Sequence, residues 1–172
     1  YIPASATSHN FDVALSRNYT RLASLYATFF HGEPSGTNML CDKFYVPPGS
    51  ATKENLAWSL QLGTTRLPDN DCVGLSECWW RTLNTVGISS SLSHTTGISQ
   101  EDYESNSFAI GIDCEKISHL ASSGMNLSNT STLFLKLKDF GSTSTDGCSR
   151  CQIITVYDSI LEIRDTNTEL FE

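Results

Sequence analysis

Residues 108–116 read FAIGIDCEK, and the rest of the chain is understood from this stretch outward. Phe108, Ile110, Ile112 and Cys114 fall on one side; Ala109, Gly111, Asp113 and Glu115 fall on the other. A period of two with one apolar side is the pattern of a strand buried on one face. The same alternation recurs in residues 56–62 (LAWSLQL) and in 132–138 (TLFLKLK), and residues 152–164 (QIITVYDSILEIR) close the set of strands.

Further strands are expected nearer the N-terminus. In residues 10–15, Phe11, Val13 and Leu15 share a face. Residues 20–30 are rich in aromatic and β-branched side chains and stop at the breaker cluster HGEPSG, while 40–46 (LCDKFYV) stops at Pro47-Pro48-Gly49. From Asp69 the period lengthens to that of a helix, with Cys72, Leu75, Trp79, Leu83 and Val86 as its apolar stripe. Asp69 or Asp71 is the expected N-cap and Gly87 the stop. Ser99 with Asp102 has the form of a capping motif, so a helical turn over 100–105 delivers the chain into the 108–116 strand. Residues 89–97, 118–131 and 141–149 read as polar loops. The sum is a mainly β chain of about eight short strands with one inserted helix, an antiparallel β-sandwich of jelly-roll type.

Composition narrows the functions. The chain has 172 residues, 39% of them hydrophobic, which suits one domain spanning 1–172 with a single core. A net charge of −8 argues against direct nucleic-acid binding, which needs cations to displace counterions from phosphates. No apolar run approaches the ~20 residues of a membrane helix, so no membrane span is expected. The first residue is Tyr1, not Met, which suggests a processed product or a piece of a longer polypeptide.

The search for chemistry finds no constellation. His9, His31, His94 and His119 all lie in expected loops or at segment ends, with no nucleophile elbow, zinc-protease helix or phosphate loop around them. Asp113 and Glu115 are an alternate-residue carboxylate pair, as are Asp69 and Asp71, but neither has a histidine or third carboxylate nearby in sequence. Of the six cysteines (Cys41, Cys72, Cys78, Cys114, Cys148 and Cys151), Cys148 and Cys151 form a tight pair that with Cys72 and Cys78 has the ligand count of a zinc site. Five residues separate Cys72 from Cys78, outside zinc-knuckle spacing, and small apolar thiols or a loop disulfide are the alternative. No catalytic, cofactor-binding or metal residues are therefore assigned. Asn18, Asn126 and Asn129 stand in glycosylation sequons, a match that chance supplies in a chain rich in Ser and Thr.

The order of the motifs carries a family resemblance. LAWSLQLGTTRLP, then LSECWWRTLNTVG, ISQEDYESN, FAIGIDCEK, a loop with Gly124-Met-Asn, TLFLKLKDF and VYDSILEIRDTNTELFE follow one another over residues 11–172. This order resembles the C-terminal jelly roll of the double-jelly-roll major capsid proteins of Polinton-like and adintovirus-like eukaryotic DNA viruses. The resemblance implies a structural protein of the virion that self-associates, with a trimeric capsomer and other capsid proteins as partners. It departs from the family in length, since 172 residues hold one jelly roll and not two. Trp80, Tyr103 and Phe171, large apolar residues off the core stripes or at the chain end, are the expected interface residues. The rival expectation is a secreted β-sandwich binding module, lectin-like or receptor-like, with paired cysteines and occupied sequons.

Overall fold

A computed structural model of the chain describes residues 10–17, 19–31, 55–88, 97–105, 107–115, 124–127, 132–140, 148–163 and 168–171. The strand expected over 40–46 lies outside them, as do most residues of the three polar loops. In chain order the elements are β1 (Phe11–Leu15), β2 (Leu22–His31), β3 (Ala57–Leu62), β4 (Thr65–Val73), α1 (Gly74–Val86), α2 (Gln100–Ser105), β5 (Ala109–Asp113), β6 (Leu133–Lys138), β7 (Cys148–Tyr157), β8 (Ile160–Ile163) and β9 (Thr168–Phe171).

Two antiparallel sheets pack face to face as a β-sandwich. One has the order β1-β6-β3-β4 and the other β5-β2-β7; β8 and β9 pair as a separate hairpin. The pairs are nested in sequence: β1 with β6, β2 with β5, and β3 with β4. The register aligns the apolar side chains in rows across the first sheet, with Val13 opposite Leu135 and Leu135 opposite Leu60. In the second sheet Leu25 lies between Ile112 and Thr155, and Ala27 between Ile110 and Ile153. Because side chains alternate between faces, this register turns both apolar sets inward together.

The expected faces of the 108–116 stretch are those observed, for Phe108, Ile110, Ile112 and Cys114 are all buried. Phe29, Phe108 and Phe140 form an aromatic cluster between the sheets, with ring centroids 4.9–6.4 Å apart. Such tilted pairs add to the burial of ring area.

The main helix begins later than its sequence suggests. Residues 69–73 belong to β4, and α1 starts at Gly74 after Val73, with no side-chain cap. Cys72 faces Trp58 across the β3–β4 ladder, while four residues of β4 (68–71) bulge between the pairs Trp58↔Cys72 and Leu60↔Leu67. Asp71 is occupied elsewhere: it accepts a hydrogen bond from Lys138 and lies 3.5 Å from Arg66. In place of a cap, Glu77 reaches back and accepts the Val73 N–H at 3.0 Å. The helix ends as expected at Gly87, whose φ of 78° is left-handed and suits glycine. The turn over 100–105 also forms as expected, with Ser99 Oγ accepting the Asp102 N–H at 3.1 Å and donating to its carboxylate at 2.8 Å.

Candidate functional site

α1 lies against β5, the edge strand of the second sheet. Cys114 donates its N–H to Ala23 of β2 at 2.9 Å, so the alternation of the strand turns the even residues 110 and 112 toward β2 as well. Residues 109 and 111 therefore point their backbone groups off the edge, and helix side chains meet them there. Thr82 Oγ1 accepts the Gly111 N–H at 3.0 Å, and its own proton lies between the carbonyls of Cys78 (2.8 Å) and Ala109 (3.0 Å). Tyr103 of α2 donates its hydroxyl to the same Ala109 carbonyl at 2.6 Å. An open strand edge is a template for pairing with another chain, and here two helices occupy it.

Gly111 permits the close approach. A Cβ at this position meets Thr82 Cα at 3.0 Å and Thr85 Cβ at 3.1 Å. The buried face of α1 accordingly runs through Leu75, Cys78, Trp79 and Thr82, whereas Val86, expected on the apolar stripe, is exposed.

The expected interface residues separate into three cases. Trp79 packs against the core and its ring lies 4.6 Å from that of Tyr103, while Trp80, its neighbour, is 56% exposed. Tyr103 is 1% exposed, so the expectation that it contacts a partner is corrected: its ring fills the space under Trp79 and its hydroxyl is bonded inside the chain. A six-residue helix is too short to reveal its buried face from sequence, which is why Tyr103 reads as an outlying aromatic. Phe171 ends β9 in register with Ile160 of β8. Sequence reading did not single out Ile154 and Val156, which alternate on the outward face of β7 at 48% and 47% exposure. Their signal is present in the run QIITVY, where every residue but Gln152 favours a strand and outward positions are as apolar as inward ones.

Among the described residues little else gathers into a site. A recess of about 190 Å³ on the first sheet is lined by Asp12, Gln61, Phe134 and Lys136, and one of about 210 Å³ beside α1 by Ser24, Thr85, Asp113 and Val156. Both fall below the roughly 300–1,000 Å³ usual for small-molecule pockets. Asp113 uses its carboxylate to accept the Glu115 N–H at 2.9 Å, which orients it toward its own backbone. Among the described residues no three His, Cys, Asp or Glu side chains converge as metal ligands. Cys72 and Cys78 do come together, sulfur to sulfur at 3.8 Å, both fully buried, while Cys151 sits on β7 opposite Phe29. Of the histidines, His31 closes β2, and His9, His94 and His119 lie outside the described residues. Asn126 is exposed; Asn18 and Asn129 lie outside the described residues.

Electrostatics are structural. The hydrogen bond from Lys138 holds the Asp71 carboxyl below its usual range against the opposing effect of burial. Glu77 is also lowered: burial opposes this, but the Val73 N–H and the Arg81 guanidinium, 2.8 Å away, outweigh it. Burial pushes the Cys114 thiol up to about 12. No helix among the described residues is long and apolar enough to cross a membrane.

The class these observations define is an antiparallel β-sandwich with an edge-covering helix inserted between β4 and β5. Comparison with family models, with curated proteins and with solved structures found no match.

Proposed function

We propose that the chain is a structural capsid protein, viral or virus-derived, that self-assembles into capsomers of the virion through jelly-roll packing. The nested pairing of β1 with β6, β2 with β5 and β3 with β4 supports the jelly-roll reading, because a jelly roll is one long antiparallel ribbon rolled on itself. Fold alone does not decide function. The observation that carries the reading to the surface is Trp80, 56% exposed on a helix fixed to the sandwich by backbone-directed hydrogen bonds. A large rigid aromatic held in water is the residue type that anchors subunit contacts. One tryptophan is not an interface, since stable ones bury about 1,200–2,000 Å² in all. Other copies of this chain in a trimer, and other capsid proteins, are the partners proposed; the role is architectural and not catalytic. Negative-stain images of the concentrated protein test it: rings or shells are expected, and dispersed single subunits would count against it.

A second reading, a secreted binding module, is favoured by one observation, the exposure of Asn126 within its sequon. Its test is the intact mass after expression through a secretory pathway, before and after glycosidase. A mass that falls on treatment would favour the module.

A further inference from the structure

We propose that Cys72 and Cys78 are a disulfide-forming pair that staples the end of β4 to the first turns of α1, and that its redox state is fixed while the chain folds. This inference is independent of the capsid reading.

Geometry carries it. The two sulfurs lie 3.8 Å apart with no group between them, at 0% exposure each. A disulfide needs ~2.05 Å between sulfurs, a distance that rotations about the two Cα–Cβ bonds govern. The position also has a use for a bond. α1 has no side-chain cap at its N-terminus, and the corner between the two cysteines is held to α1 by the Val73 N–H on Glu77 and to β3 by the Ala57–Val73 pairing and the Gly74 N–H on the Leu56 carbonyl. A covalent link across this corner holds the helix that covers the β5 edge and displays Trp80.

The chemistry balances with a disulfide oxidant such as oxidised glutathione. The Cys72 thiolate attacks one glutathione sulfur and releases one glutathione as thiolate. The Cys78 thiolate then attacks Cys72 Sγ of the mixed disulfide, forming the protein disulfide and releasing the second glutathione. Two protein thiols are oxidised and one glutathione disulfide is reduced to two thiols, the two protons given up by the cysteines ending on the two departing glutathione sulfurs. In the folded chain the first step is blocked twice. Neither sulfur is reachable, and the neighbouring Cys78 sulfur together with burial raises the Cys72 thiol far above its ordinary value, leaving almost no thiolate. The exchange belongs to the open chain, and the closed core preserves whichever state it enclosed.

The test needs no mutation. The chain is made by cell-free synthesis with a reduced and oxidised glutathione pair, or with excess dithiothreitol, then denatured in acid, alkylated and digested with trypsin. Both cysteines fall in one tryptic peptide, residues 67–81 (LPDNDCVGLSECWWR). After synthesis with glutathione this peptide is expected about 2 Da lighter than the reduced form and without alkyl groups. The dithiothreitol product, folded and then moved to the same glutathione pair, is expected to keep two alkylated thiols. A thermal midpoint higher by roughly 5 °C is expected for the linked form, from a closed loop of this length. Two alkylated thiols after synthesis with glutathione, or linkage of either cysteine to a different one, overturns the pairing. Oxidation of the folded product as fast as that of the denatured chain overturns the claim that folding fixes the state.

Discussion

The Thr82 hydroxyl accepts the Gly111 N–H at 3.0 Å, so a helix side chain stands where a neighbouring strand would otherwise bond to β5. The two residues are 29 apart in sequence, and their meeting places α1 on the edge of the second sheet. It explains why the sandwich tolerates a short edge strand.

Thr82→Val keeps the shape and removes the hydroxyl. The Gly111 N–H is then left without its acceptor, and a cost of about 1–3 kcal/mol is expected. Thr82→Ser retains the bond and is expected to lose less. Urea unfolding followed by tryptophan fluorescence measures both, and equal losses for Val and Ser would show that the bond contributes nothing.

Gly111→Ala tests the close approach. The added methyl meets the helix backbone at Thr82 Cα, 3.0 Å away, so relief requires α1 to move and not merely a side chain to turn. Overpacking of this kind costs about 1–3 kcal/mol. A variant as stable as the parent in the same unfolding experiment would contradict the packing described.

Acid stability follows from Asp71. Its folded pKa lies below the ordinary 3.8, so the unfolded chain takes up the proton first as pH falls. The stabilisation is therefore full above the unfolded value, declines below it, and is gone once pH passes the folded value. Glu77 acts in the same direction. Asp71→Asn is expected to lower stability at pH 7 by roughly 1 kcal/mol and to flatten the decline below pH ~4. Thermal midpoints between pH 2 and 7 measure it, and parallel curves for parent and variant would rule it out.

These features differ in how far the sequence reveals them. The alternation of 108–116 identifies its buried face without ambiguity, because every inward residue is apolar and the outward ones are small or charged. The start of α1 is misread because Asp69 and Asp71 are good caps in isolation, whereas the pairs Leu67–Leu60 and Cys72–Trp58 on either side keep this segment within β4 and Lys138 takes up Asp71. Gly111 inside a strand does signal a close backbone approach, but nothing local says that Thr82 is what approaches. Tyr103 is the clearest failure: burial depends on a packing partner, Trp79, that lies 24 residues earlier in the chain. Trp80 reads correctly as the member of the aromatic pair that turns outward.

Trp80→Ala separates surface from core. As an exposed residue it is expected to change stability by no more than about 0.5 kcal/mol. If it anchors a subunit contact, association weakens by about 2 kcal/mol, or roughly thirtyfold. Sedimentation velocity over a concentration series reads this, and unchanged association would remove Trp80 from the interface.

The most direct test of the proposed self-assembly is the native mass of the purified chain, by light scattering on a sizing column across concentration and salt. Trimers or larger closed assemblies are expected, growing with concentration. A single species at 18.9 kDa under every condition would contradict the capsid reading.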